Sequence, residues 1–267
     1  MIVDTFKSSD KSNNGPLNFF YVISHERSGT HFLINSIQMN TTAKLKYLSI
    51  GGWFGPYDQV KNRFDHIDKQ FSLLEPGCSY IVKSHCDHDL FKFKYPQGKT
   101  VYICRDYRDV LVSYYHFLQD GHLLTAQQNN PEIPQIWFSN FSDFLKQPIP
   151  DFLRWHYSLY GNFSSPLERW LNHTLQWINA ASKTVMIVTY NKLYSHTEET
   201  IQKTLDFLNL PCKQFFVRPS FENSYSVLPR KGIIGDWKNH FSIDDTAYLA
   251  PLVSAYHPYF DWFPWEV

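Results

Sequence analysis

Four stretches, residues 18–24, 79–85, 100–105 and 184–190, carry short runs of aromatic and β-branched side chains bounded by polar residues. Continuous rather than alternating hydrophobicity at that length marks strands buried on both faces, as in a parallel sheet. After them the period changes to that of a helix. Phe32, Leu33 and Ile37 recur at helical spacing behind the first run, and residues 108–122 follow the third. Residues 166–181 place Leu167, Trp170, Leu171, Leu175 and Ile178 on one stripe, and residues 197–210 form a further helix stopped by Pro211. Strands alternating with helices predict a single α/β domain, a central parallel β-sheet flanked by helices.

Three regions break the pattern. Residues 45–57 hold Gly51, Gly52, Gly55 and Pro56 among aromatic rings, a poor helix that reads either as a pocket wall or as a loop packed on the core. Residues 123–164 are polar, with prolines and tryptophans and no clear period, and read as a cap over a binding site. Residues 244–267 start as a helix and end in Phe260, Trp262, Phe263 and Trp265, a cluster that seals the core. No internal repeat or linker divides the chain. Residues 1–16 are polar and read as a flexible segment, and residues 17–267 as the domain.

Composition narrows the partners. A chain of 267 residues with 43% hydrophobic and 18% aromatic side chains builds one large core. Lys plus Arg and Asp plus Glu are 25 each, and that zero net charge argues against general binding of nucleic acid or a membrane surface. An anion site must then be assembled locally, from a few placed cations. The N-terminal residues lack the basic-then-apolar order of a signal peptide, and no apolar run is long enough to span a bilayer. Cys78, Cys86, Cys104 and Cys212 show no paired spacing, so a reduced, cytoplasmic protein is expected.

The first strand runs into Ser24-His25-Glu26-Arg27-Ser28-Gly29-Thr30-His31, where the helix begins with Ser28 or Thr30 available as its cap. A strand, a small-residue turn and a helix N-terminus aim several backbone N–H groups and the positive end of a dipole at one point. Arg27 adds a permanent charge with a planar fork of donors. The Walker A pattern needs two glycines and a following lysine, and this turn has one glycine and no lysine, so it is a P-loop-like turn of another kind. Arg105 and His85 follow two other strands, where open α/β sheets place their ligands. His85-Cys86-Asp87-His88-Asp89 is too crowded for one closed zinc site without a distant partner, and no metal is expected.

Taken in order, the turn at 24–31, the strand–Arg105–helix unit carrying Ser113, and Arg230-Lys231-Gly232 through Phe241 give the chain a family likeness. It resembles the sulfotransferases that use 3'-phosphoadenosine 5'-phosphosulfate (PAPS), particularly the cytosolic small-molecule kind, from about Phe19 to Phe241. The resemblance implies PAPS as donor and 3'-phosphoadenosine 5'-phosphate (PAP) as product, and a small-molecule acceptor. It implies that Arg27, where the family usually has lysine, and Ser28, Gly29, Thr30 and His31 hold the 5'-phosphosulfate. It assigns the 3'-phosphate to Arg105, Ser113, Arg230, Lys231 and Gly232, and the adenine to Tyr190, Phe221 and Phe32. Lys83-Ser84-His85 matches the start of the family's Lys-Thr-His-Leu-Pro motif, with Cys86-Asp87 in place of Leu-Pro. His85 is thereby implied as general base, with Lys83 orienting acceptor or sulfonate.

The departures shape the acceptor. The segment between Phe221 and Arg230 is shorter than the cap loop of the animal enzymes, and Asp87, Asp89, Asp120, His88, His116 and His122 lie on segments near the expected mouth. Both point to a polar acceptor, hydroxyl or amine, and to natural-product sulfotransferases of bacteria, cyanobacteria among them, as a neighbourhood. The usual C-terminal dimer motif is incomplete, with Ala247 where glutamate is expected, so a monomer, or a dimer that does not use this motif, is expected. The rival readings are a P-loop-type nucleotide kinase, which would need the missing lysine and Mg²⁺-binding hydroxyl, and a non-catalytic PAP-binding protein, which would need no base.

Overall fold

The computed structural model of the chain describes residues 18–50, 69, 71–75, 77–89, 91, 98–119, 138–148, 163–220 and 231–254. Five strands, β1 (Asn18–Ser24), β2 (Leu45–Ser49), β3 (Ser79–Ser84), β4 (Lys99–Cys104) and β5 (Val185–Thr189), form one sheet in the order β2-β3-β1-β4-β5. Every pairing is parallel. β1 is central, with Ile23 opposite Ser84 of β3 and Ser24 opposite Ile103 of β4, so three carboxyl ends finish side by side. The order reverses at β1, the place where such sheets leave a crevice for a ligand.

The apolar runs are continuous because both faces are covered. Val22, Ile81, Val101 and Ile103 point to a layer built from α1 (Thr30–Asn40), α5 (Tyr190–Ser195) and α6 (Thr197–Leu208), meeting Leu33, Ile37, Leu193 and Leu205. Tyr21, Ile23, Val82 and Tyr102 point to the other layer, of α2 (Tyr107–Phe117) and α4 (Pro166–Asn179), meeting Val110, Tyr114, Trp170 and Trp177. Each such side chain contributes about 1.5–3 kcal/mol by leaving water. Tyr102 stacks on Trp177 at 5.5 Å, and its hydroxyl lies 3.0 Å from His173 Nδ1. Burial holds its phenol well above the ordinary range.

Local chemistry explains most helix ends. Asp106 caps α2 by accepting from Arg108 N at 2.8 Å. Ser165 caps α4 by accepting from Glu168 N at 3.1 Å, Glu168 reaches back to Ser164 N at 2.8 Å, and Pro166 opens the helix. The expected side-chain cap of α1 is absent: Gly29 takes the cap position, and the Thr30 hydroxyl bonds Ser24 instead. α6 ends two residues before the expected limit, at a left-handed Asn209 with φ +58° rather than at Pro211.

Two elements were not expected. Residues 45–49 form β2 rather than loop, the strand at one edge of the described sheet, with Leu45, Lys46 and Leu48 half-buried and Tyr47 and Ser49 exposed. Within 123–164, Phe141–Lys146 forms a short helix, α3, capped by Asn140 and packing Phe141 and Phe144 against Tyr115. β5, expected as a buried strand, is the other edge, and Val185, Met186 and Ile187 stay half-buried. Residues 51–57, most of 123–164 and the aromatic cluster at 260–265 lie outside the described residues. After residue 235 come a short 3₁₀ helix, Asp236–Asn239, and α7 (Ile243–Ser254). Among the described residues no helix is long and apolar enough to cross a membrane.

Candidate active site

The turn from β1 into α1 holds two left-handed residues, Arg27 at φ +65° and Gly29 at φ +94°. Gly29 permits more than the angle: a Cβ there would stand 2.4 Å from Cδ2 of Tyr190. Thr30 Oγ1 and Ser24 Oγ lie 2.5 Å apart and close the turn on itself. The first intrahelical bond, from Leu33 N to Gly29 O at 3.1 Å, leaves the N–H groups of Thr30, His31 and Phe32 without helical partners. The buried Ser28 hydroxyl and His31 Nδ1 have no hydrogen-bond partner among the described residues. Burial, then the charges of Lys83 and Arg27, hold the His31 imidazole down to about 4, neutral at physiological pH. Unpaired donors around a cation describe an anion seat.

Arg27 crosses to α2, where its Nε donates to Ser113 Oγ at 3.1 Å and its guanidinium lies 5.1 Å from the Phe117 ring. Arg105, at the end of β4, staples three segments. It donates to the carbonyl of Arg27 at 3.4 Å and of Ile233 at 2.7 Å, and lies 4.5 Å from the Tyr190 ring centre. Its buried Nε has no partner among the described residues. The Tyr190 hydroxyl donates to Gly232 O at 2.7 Å, and Phe32 stands 6.3 Å from the Tyr190 ring. Asp109 accepts from the N–H groups of Gly235, at 2.9 Å, and Trp237, at 3.1 Å, fixing the segment that carries Lys231 and Gly232 to α2. Arg108 stacks on Trp237 at 3.9 Å and reinforces that join.

On the other side of β1, His85 Nδ1 lies 2.8 Å from the carbonyl of Ser24 and 3.2 Å from its hydroxyl. A carbonyl only accepts, so Nδ1 carries the proton and Nε2 keeps its lone pair. Burial, then the Lys83 charge, holds this imidazole well below its ordinary value and therefore neutral. Burial holds the Lys83 ammonium below its ordinary value, against the opposing charge of Glu26. Asp87, whose Oδ1 has no partner among the described residues, is pushed by burial up to about 7. Glu26 pairs with the guanidinium of Arg169 on α4. His173, also on α4, has Nε2 3.3 Å from the carbonyl of His85.

The structure thus links Arg27, Gly29, Thr30, Arg105, Ser113, Tyr190 and Gly232 through direct contacts and the turn itself, with Ser28 between Arg27 and Gly29 and Phe32 beside Tyr190, and joins His85 to them through Ser24. Lys231 stands apart: it is 58% exposed, with its ammonium 3.5 Å from Asp236. Phe221 and Arg230 lie outside the described residues, as do Asp120 and His122. Sequence reading missed Ser24, Asp109, Arg108 and the Glu26–Arg169 pair. Ser24 had a signal, a small hydroxyl at a strand end facing a turn. The others had none, since their partners lie up to 143 residues away.

Among the described residues, no group of three or more His, Cys, Asp or Glu side chains is placed to hold a metal ion. The model of the sulfotransferase domain matches residues 19–253. Mouse sulfotransferase 2B1 is 24% identical over 277 residues, covering 92% of this chain and 73% of its own. Rat sulfotransferase 1E1 is 27% identical over 213 residues, covering 70% of this chain and 64% of its own. Among solved structures, mouse sulfotransferase SULT7A1 complexed with PAP matches with a TM-score of 0.60 at 17% identity, covering 92% of this chain and 86% of that one. Retinol dehydratase in complex with androsterone and inactive cofactor PAP matches at 0.54 and 16%, covering 91% and 82%. A family match across nearly the whole sheet, together with a β1 turn and a β4 arginine that converge at the strand ends, places this chain in the sulfotransferase family.

Proposed function

We propose that this sulfotransferase modifies a hydroxyl or amine of a small, polar acceptor, with His85 as the base. The observation that carries the assignment is the bond from His85 Nδ1 to the Ser24 carbonyl at 2.8 Å, which leaves Nε2 as the proton-accepting nitrogen. The low intrinsic basicity of the buried ring keeps it unprotonated before turnover.

The turn suits the donor: the buried Ser28 hydroxyl, His31 Nδ1 and Arg105 Nε, without partners among the described residues, are polar groups suited to an anion. PAPS supplies the sulfuryl group and leaves as PAP, with negative charge growing on the 5'-phosphate oxygen. Arg27 neutralises that charge, and the N–H groups and hydroxyls of Ser28, Gly29, Thr30 and His31 orient it. Arg27 cannot release its proton as a lysine does, so its part is electrostatic. Arg105, Ser113, Arg230, Lys231 and Gly232 hold the 3'-phosphate, and Phe32, Tyr190 and Phe221 the adenine. Lys83 orients the acceptor or the sulfonate. Partly exposed Glu26 and Lys83 at the strand ends favour a polar acceptor over an apolar one. Labelled PAPS offered with hydroxylated and amine metabolites should transfer label to polar members of the panel. Transfer confined to steroids and simple phenols would overturn the acceptor reading, and a folded, PAP-binding His85→Ala with nearly full activity would remove His85 from the chemistry.

A further inference from the structure

Glu26 is the only acidic side chain in the β1 turn, and it sits immediately before the arginine that faces the anion seat. Its carboxylate is 18% exposed and pairs with Arg169, whose side chain is 0% exposed in the layer beneath the sheet. An arginine does not shed its proton, so this is a permanent buried charge, paired with Glu26 and also felt by the buried Asp87. The Glu26 backbone is held as well: the His25 imidazole donates from Nδ1 to Glu26 O at 2.9 Å, and its ring stands 5.7 Å from that of His173 on the same helix as Arg169.

The next residue is held by a different helix of the same layer. Arg27 reaches Ser113 of α2, its carbonyl accepts from Arg105, and its φ of +65° is one a non-glycine residue keeps only where its surroundings over-determine it. Successive residues are therefore anchored to α4 and to α2, and the turn is fixed at both anchors.

We infer that Arg169 is a positioning residue for the phosphate turn: through Glu26 it sets the direction in which Arg27 and the N–H groups behind it face the 5'-phosphate. This rests on the assignment of that turn to the 5'-phosphate. A purely structural ion pair would stabilise the fold and leave ligand discrimination unchanged.

Affinity for PAP compared with adenosine 3'-monophosphate, which lacks the 5'-phosphate, separates the two. Glu26→Leu combined with Arg169→Met replaces the pair with apolar side chains, an exchange that often leaves stability intact. PAP should weaken by about 10–10²-fold, the scale of one displaced charge-assisted hydrogen bond, while adenosine 3'-monophosphate scarcely changes. The KM for PAPS should rise with it. Arg169→Lys, which keeps the charge, should recover part of the PAP preference. Should the double variant not fold, Glu26→Gln carries the same comparison with a smaller loss. A folded variant that keeps the wild-type PAP preference, or that weakens both ligands equally, overturns the inference. A wild-type protein indifferent to the 5'-phosphate would overturn the underlying assignment too, and is recognised before any variant is made.

Discussion

Replacing Gly29 with alanine probes how the phosphate turn is built. The residue has φ +94°, and an added Cβ would stand 2.4 Å and 2.6 Å from two carbons of the Tyr190 ring. The ring is not free to retreat, because its hydroxyl is tied to Gly232 at 2.7 Å and its face lies 4.5 Å from the Arg105 guanidinium. Left-handed strain for an L side chain costs roughly 1–2 kcal/mol. Overpacking adds about 1–3 kcal/mol, for a total of about 2–5 kcal/mol. At roughly 2–4 °C per kcal/mol for a large domain, Tm should fall by about 4–20 °C. Gly77→Ala is the control: its φ is +75° with nothing within 4 Å of an added Cβ, so only the strain applies. Melting both variants with and without PAP gives the answer. Gly29→Ala should lose more stability than Gly77→Ala and also show a smaller rise on adding PAP, since Tyr190, Gly232 and Arg105 shift together. Equal losses and an unchanged PAP response would refute the argument. Truncating Tyr190 in the Gly29→Ala background should cost less than truncating it alone, because the clash disappears with the ring.

Other consequences follow from the same geometry. His85→Ala should lower kcat by roughly 10²–10⁴ with PAP affinity nearly intact and the acidic limb of the pH profile gone, and the pH profile and a PAP titration on one sample check it. PAP should raise Tm much more than AMP, and Arg105→Ala should shrink that preference, a charge-assisted pair being worth about 1.5–3 kcal/mol; equal shifts by PAP and AMP in the wild type would defeat the 3'-phosphate assignment. Asp87 rises from its usual 3.8 to about 7 in the folded protein, so folding favours its neutral form, and its contribution to stability, complete below about 4, is lost as pH rises toward 7. Denaturant melts of Asp87→Asn should therefore show the variant gaining on the wild type as pH rises through that window, and a constant difference would show that Asp87 titrates normally. Ile243, where the family's dimer motif would lie, is 88% exposed, and light scattering should report a monomer; a stable dimer broken by Ile243→Asp would contradict this.

The runs of β1, β3 and β4 were legible because they are buried on both faces, while that of β5 stayed apolar although it is an edge strand with Val185, Met186 and Ile187 half-buried. The motifs of the site were legible for a related reason: Arg27, Gly29 and Thr30 share one turn, and Arg105 and Ser113 share one strand–helix unit, so local spacing alone brings them near each other. What escaped was set at longer range. β2 is an edge strand with mixed burial, and α3 has six residues, too few to display a helical period. The α1 cap differed because Thr30 found Ser24 across the turn, a competition that local propensity does not contain.

Tertiary structure alone decided the tautomer of His85, which depends on a carbonyl 61 residues away, and the placement of the Lys231 segment, which Asp109 secures from 126 residues away. It also set Glu26 on Arg169 and Arg27 on Ser113 from adjacent positions of one loop. Hydrophobic periodicity records which face of an element is buried. It holds no record of which polar atom meets which across the sheet, because those pairings exist only once the layers have packed.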